Sequence, residues 1–309
     1  MTHTFEFARW ATRFRALLVV AFAAAFAGCD AADKLTNTSD EPAVETGDAV
    51  SATDISLATS FRGGIPMGTF AQPTHTIGSR YNGALRVIWP EYLKQELAAI
   101  RARGGRVVLS FSGSERHYKT RGRFDLAKWK ARVSRYRRID FSSYVRDGTI
   151  IGHYLIDEPN DPENWGRPIP PSTLEEMAKY SKQLWPGLTT IVRVEPGYLN
   201  SNHRHLNVAW AQYVYRKGTA ANYIQRNVAD ASRRGLGLVV GLNIRKGGPR
   251  GRAMTASEIT NWGTTLLNSS YPCAFISWQY NSTLTTRAMG AAMDVLRRRA
   301  QSRSSKRCS

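Results

Sequence analysis

Three cysteines in 309 residues are too few for a disulfide framework, and none stands in a C-x-x-C spacing, which argues against a structural zinc site. Acidic residues are scarce as well, 24 against 43 lysines and arginines. The formal charge of +19 therefore favours anionic partners, although it says nothing about fold. The longest apolar run, residues 16–27 (ALLVVAFAAAFA), is too short to cross a bilayer as a helix. No G-x-G-x-x-G follows the first strand candidate, which disfavours a dinucleotide-binding open sheet. The run Ser112-Gly113-Ser114 is not a G-x-S-x-G elbow, so an acyl-transfer triad has no support. Tandem repeats are absent. A hydrophobic share of 42% excludes a disordered chain and leaves room for one large domain or two small ones.

The apolar run follows Arg9, Arg13 and Arg15, the order of a signal peptide's charged and apolar regions, which predicts export. It ends in Phe26-Ala27-Gly28-Cys29, which resembles a bacterial lipobox, with Phe26 in place of the usual aliphatic residue. That resemblance implies lipidation of Cys29, with 1–28 as the removed signal and a membrane anchor facing the periplasm or the exterior. Residues 29–60 set Lys34 against seven carboxylates and are poor in aromatics, the composition of a flexible acidic linker. The remainder, 61–309, then holds a charge of +23.

From 61 onward short apolar runs alternate with longer amphipathic ones, the pattern of a parallel sheet with helical crossovers. Strand candidates are 65–70, 106–113, 149–158, 189–195, 208–215, 236–244 and 273–280. Helical patterns cover 91–103, 126–138, 172–185, 220–234, 256–268 and 284–300. Seven strands with this many helices over such a length predict a (β/α)8 TIM-like barrel lacking one strand. The eighth is either 85–89 (LRVIW) or a degenerate element near 139–145.

Active sites in such barrels sit at the carboxyl ends of the strands, and that rule selects few residues. One strand ends in Tyr154-Leu155-Ile156-Asp157-Glu158-Pro159 and the next in Arg193-Val194-Glu195-Pro196. Strict alternation turns Glu158, Ile156 and Tyr154 to the axis together, and likewise Glu195, Arg193 and Ile191. Two carboxyls roughly 5 to 9 Å apart are what glycosidic cleavage requires, one as proton donor and one as nucleophile or base. Glu158 is read as the acid, with Glu195, kept ionised by Arg193, or Asp157 as the second carboxylate. The alternative for each is structural, a loop cap at Asp157 and an ion pair between Glu195 and Arg193.

YLIDEP, IPMGTF and the last strand's Ser277-Trp278-Gln279-Tyr280 resemble barrel-type glycoside hydrolases and their bacterial relatives. In the large clan of retaining enzymes the fourth strand ends in Asn-Glu-Pro and a Trp closes the eighth. The resemblance implies Glu158 as acid/base and Trp278 as a sugar platform. Two positions depart from it: Asp157 replaces the Asn, and Asn243 stands where that clan keeps its nucleophile. The substrate-binding candidates are Trp278, Tyr154, Arg193, Asn243, Gln279, Tyr280, Tyr213 and Arg245, since sugars bind flat apolar faces flanked by hydrogen-bonding groups.

The loop from Arg245 through Lys246 and Arg250 to Arg252 follows a strand, so it is expected on the functional face as an anion-binding element. Expected partners are a polysaccharide or oligosaccharide, with an anionic one favoured by the charge, and a membrane through the anchor. No nucleic acid, metal or cofactor is expected. His203-Arg204-His205 has ligand spacing but no accompanying carboxylate. Cys273 opens the last strand and the following helix returns to the same pole, which brings Cys308 within reach of it. A bridge there competes with a buried Cys273 and a free thiol at Cys308. The whole predicts a tethered barrel that hydrolyses glycosidic bonds or, as the alternative, binds sugar without cleaving it.

Overall fold

The computed structural model describes residues 63–200, 202–305 and 307–308. The signal at 1–28, the linker at 29–60 and the lipidation position Cys29 lie outside them. Eight parallel strands close into a barrel. In chain order these are β1 (Met67–Phe70), β2 (Gly83–Val87), β3 (Arg106–Ser110), β6 (Ile150–Asp157), β7 (Thr190–Arg193), β8 (Val208–Tyr213), β9 (Gly237–Leu242) and β10 (Ala274–Ser277). A short antiparallel hairpin, β4 (Lys119–Thr120) and β5 (Arg123–Phe124), rises from the loop after β3. The missing strand is the apolar run around Leu85, which pairs with both β1 and β3. The region near 139–145 forms instead the short helix α3 (Ser142–Arg146).

The longer helices are α1 (Leu93–Ala102), α2 (Leu126–Ser134), α5 (Pro171–Leu184), α6 (Ala220–Arg233), α7 (Ala256–Asn268) and α8 (Arg287–Gln301). A one-turn helix, α4 (Pro162–Trp165), follows β6 directly, capped by Asp161 and ended by the left-handed Gly166. Each long helix buries an apolar stripe, as in α1, where Leu93, Leu97 and Ile100 face the sheet. α8 begins three residues later than its pattern suggests, because Ser282–Thr285 forms a separate 3-10 turn capped by Asn281.

Two cores result. The larger lies between sheet and helices, with Trp129, Trp165, Phe111 and Tyr223 among its fully enclosed side chains. The smaller fills the barrel and includes Phe70, Val108, Tyr154, Ile191, Val208, Trp210, Val239 and Ile276. Its upper part is an aromatic cluster, in which Phe70 lies 4.7 Å from Trp210 and 5.0 Å from Trp278 between ring centroids. At the opposite pole Cys273 and Cys308 are joined by a disulfide with Cα atoms 5.2 Å apart. The Cys308 carbonyl accepts a hydrogen bond from Thr189 Oγ1 at 2.9 Å, which fastens the tail beneath the barrel. Of the two alternatives open for these thiols, the bridge is the one formed.

Candidate functional site at the carboxyl end of the barrel

Strict alternation along β6 fails at its upper end. Tyr154 faces the barrel interior, but both Leu155 and Ile156 pack into the outer core, and the register with β7 shifts between Tyr154 and Asp157. The extra residue is a bulge, and Trp129 Nε1 donates to the buried Leu155 carbonyl at 2.9 Å. Asp157 rather than Glu158 is therefore in register with the inward Arg193 and makes the closer ion pair with it. Glu158 follows at φ +34°, left-handed backbone that is uncommon for a residue with a side chain, and its carboxyl is half exposed at the rim.

Arg193 is the hub of this pole. Its side chain is 5% exposed. Nε donates to Asp157 Oδ1, Nη1 donates to Gln212 Oε1 at 3.2 Å, and Nη2 lies 3.4 Å from Glu158 Oε2. The guanidinium also sits over the rings of Phe70 and Trp278, 5.4 and 5.2 Å from their centroids. Burial opposes its charge, but Asp157 and then Tyr154 and Glu158 more than offset this, so the group is held above the ordinary arginine value. Gln212 is fixed in turn by donating to the Ile276 carbonyl at 3.1 Å. Only glycine fits at 241 beside it, since a Cβ there would stand 2.0 Å from the Ile276 oxygen and 2.9 Å from Gln212 Nε2.

Glu195 is not Arg193's partner. Its carboxylate lies 2.5 Å from Lys217 Nζ and 3.6 Å from Arg226 Nη2, in an ion-pair cluster joining the loop after β7 to the loop after β8 and to α6. The expected pairing of Arg193 with Glu195 is thus replaced by one with Asp157, because the bulge brings Asp157 into register with Arg193.

One carboxyl group of this face was missed in the sequence. Glu115 lies in the loop after β3, and its Oε2 accepts from Asn164 Nδ2 at 2.7 Å, with Lys119 Nζ 3.5 Å away. Burial first, and the charge of Asp157 second, push it up to about 7 against the opposing pull of Asn164 and Lys119. Its distance beyond the strand end put it outside any period-two argument. The only available signal was the general rule that βα loops form the functional face. Asn164, Lys119, Lys217 and Arg226 were missed for the same reason or because they looked like ordinary surface residues, whereas Gln212 lies within β8 as an isolated polar residue of an apolar strand.

The substrate-binding candidates divide. Trp278 is half-buried over the barrel aromatics, and its main chain is laced to β9. Gln279 is nearly buried, and Tyr280, whose N–H donates to the Phe70 carbonyl, lines a cavity of about 250 Å³ with Arg80, Tyr81 and Leu284. Tyr154 lies inside the barrel, and its hydroxyl has no hydrogen bond of good geometry, though Asp157 lies beside it and burial raises it well above the usual phenol value. Tyr213 faces outward, donates to the Gly218 carbonyl at 2.7 Å and packs on Tyr223 and Trp262, so it belongs to the core between sheet and helices. Asn243 turns its Oδ1 to the Lys246 N–H at 3.0 Å, capping the basic loop on which Arg245 stands exposed. Arg252 is taken up by a two-bond pair with Glu258.

The histidines lie elsewhere. His203 comes within 3.8 Å of Glu175, whose carboxylate also accepts the N–H groups of Arg204, His205 and Leu206 just ahead of β8. That is the amino-end pole, away from the carboxylates. His153 is stacked among Phe111, Trp129 and Trp185, and burial lowers it to about 3. Among the described residues no group of three or more His, Cys, Asp or Glu side chains is arranged to hold a metal ion, and no helix is long and apolar enough to cross a membrane.

The chain is thus a closed (β/α)8 barrel whose carboxyl end gathers carboxylates around a buried arginine beside an aromatic floor. Its fold is similar to that of a glucosidase from Croceicoccus marinus, with 12% identity, a TM-score of 0.53, and 76% of this chain matched to 68% of that one. A cellulase in complex with an inhibitor is similar over 76% of this chain and 92% of its own, at 13% identity and a TM-score of 0.50. A chitinase from Pseudoalteromonas aurantia follows at 13% identity and a TM-score of 0.47, over 73% of this chain and 98% of that one. At such identities the shared feature is the barrel. No family model and no curated protein matches the sequence.

Proposed function

We propose that this barrel is a glycoside hydrolase, tethered outside the cytoplasm through a lipid on Cys29, and that Glu158 is one of its two working carboxyl groups. The observation that carries the reading is the position of Glu158. It sits at the carboxyl end of the fourth barrel strand, on left-handed backbone, half exposed, and 3.4 Å from a buried guanidinium beside Trp278. A residue held in such a conformation at a strand end suits a site better than a structural cap. Arg193 and Trp278 offer a charged donor and a flat apolar face, the pairing that saccharide sites use. The glycoside hydrolase barrels that share the fold add to this reading.

The basic rim supplied by Arg245 and Lys246, in a barrel region carrying +23, favours an acidic polysaccharide. A second reading, a barrel that binds sugar without cleaving it, is favoured by one observation. Asn243 ends the seventh strand with its side chain occupied in capping its own turn, so no carboxylate works from there. The test is release of reducing ends from a panel of acidic and neutral polysaccharides by the full chain and by Glu158→Gln. Hydrolysis is expected, strongest on acidic glycans at low salt, and slowed by ~10²- to 10⁴-fold in the variant. An undiminished rate in the variant would remove Glu158 from the mechanism, and binding without release by the wild type would establish the second reading.

A further inference from the structure

Hydrolysis of a glycosidic bond needs two carboxyl groups in opposite protonation states. Of Asp157, Glu195, Glu158 and Glu115, the first two make close ion pairs, whereas Glu158 lies 3.4 Å from Arg193 and Glu115 lies 3.5 Å from Lys119. Asp157 is held by Arg193, and Glu195 by Lys217 and Arg226. We propose that Glu115 is the proton donor at this pole and that Glu158 is the partner group that takes up the proton of the attacking water, a deepening that rests on the glycosidase reading above.

The geometry ties the two residues to one frame. Glu115 Oε2 accepts from Asn164, whose neighbour Trp165 donates through Nε1 to the main-chain oxygens of Asp157 and Glu158 at 3.0 and 3.1 Å. Glu115 is therefore braced against the turn that immediately follows Glu158. The bond from Asn164 occupies one carboxyl oxygen, and no protein group donates to the other, Oε1, among the described hydrogen bonds. The groups that face Glu115 are Asp157 from β6, Lys119 from its own loop, and the phenols of Tyr118 and Tyr154. Lys119 does not neutralise it fully, since its ammonium donates to Asn164 Oδ1 at 2.5 Å and lies over the Trp165 ring. Burial, and then the like charge of Asp157, push Glu115 up to about 7, so it keeps its proton further toward neutrality than an ordinary carboxyl does. The Tyr154 hydroxyl is buried, lies within the influence of both Asp157 and Glu115, and makes no hydrogen bond of good geometry.

In the reaction the Glu115 proton passes to the glycosidic oxygen as the bond to the anomeric carbon breaks, and the bonding pair stays with that oxygen. A water oxygen bonds to the anomeric carbon, and its released proton goes to the Glu158 carboxylate. Exchange with solvent then returns a proton to Glu115 and removes one from Glu158, so one water is consumed for each bond cut.

Two measurements test this. In the full chain with carbon-13-labelled glutamate, one carboxyl resonance is expected to titrate near neutrality, to vanish in Glu115→Gln and to move to lower pH in Asp157→Asn. If every glutamate titrates in the ordinary acidic range, the proposal fails. In activity, Glu115→Gln is expected to slow cleavage of the polysaccharide identified by the panel by ~10²- to 10⁴-fold. It should leave nearly intact the cleavage of an aryl glycoside of the same sugar whose phenol leaves without protonation. Equal losses on both substrates would reduce Glu115 to a structural part and overturn the donor role. A wild type inert on every glycan overturns the glycosidase reading itself, whereas an active wild type with an unaffected Glu115→Gln overturns only the present assignment.

Discussion

A single guanidinium organises this end of the barrel, and its energetics follow from burial. Arg193 and Asp157 are both largely enclosed, so removing one partner leaves the other's charge without compensation. Arg193→Met is expected to destabilise the protein by about 3 to 5 kcal/mol in urea unfolding. Adding Asp157→Asn to it should recover part of that loss, and a double variant no better than the single one would contradict the pairing. At this scale the sequence was legible in turning Arg193 inward and in setting Trp278 over the barrel aromatics, both at or near a strand end. It was misleading where alternation had to be assumed through a bulge, because one extra residue in β6 exchanges the directions of Asp157 and Glu158. It was silent on Glu115, whose burial depends on a hairpin and a one-turn helix that no periodicity announces.

Elements whose apolar pattern is long were recovered nearly to their ends, which is why α1, α5, α6 and α7 match their patterns within a residue or two. Strands came out shorter than their apolar runs, since those runs continue into the loops that bear the site. β3 stops at Ser110 and β10 at Ser277 although hydrophobic residues follow both. The one-residue and one-turn features were lost because they are set by tertiary contacts rather than by local propensity. α7 offers a local test. Thr255 accepts from the Glu258 N–H while the Glu258 carboxylate accepts from the Thr255 N–H, a complete capping box, and Arg252 adds two further bonds to the same carboxylate. Thr255→Ala should lower stability by about 1 kcal/mol. The Arg252 bonds, with the Thr255 donors, hold Glu258 down to about 2, below the ~4.3 of an unfolded glutamate. Its contribution is then fully present above ~4.3 and fades as the pH falls through about 2. The stability difference between wild type and Glu258→Gln should therefore shrink on acidification over that window. A difference that is constant with pH would show that the carboxylate's charge plays no part.

For the molecule as a whole, the fold class was legible from the alternation of runs, whereas the state of its two poles was not. The carboxyl-end pole holds the polar network, and the amino-end pole is shut by the tail that ends in the Cys273–Cys308 bridge. The sulfurs are 35 residues apart in sequence, and closing a loop of that length contributes about 3 to 4 kcal/mol in the chain-entropy model. Reductant should shift the urea midpoint of the purified chain downward by a corresponding amount, and an unchanged midpoint would mean that the tail adds nothing. The bridge has one more consequence, for proteolysis. The turn Ser282–Thr285, exposed except at Leu284, lies at the carboxyl-end pole, while the covalent link lies at the other. The segment 273–308 is a closed ring, so a protease cut in that turn severs the polypeptide without releasing a piece. The last strand and the last helix stay fastened to each other, and the nick shows only when the sample is reduced before electrophoresis.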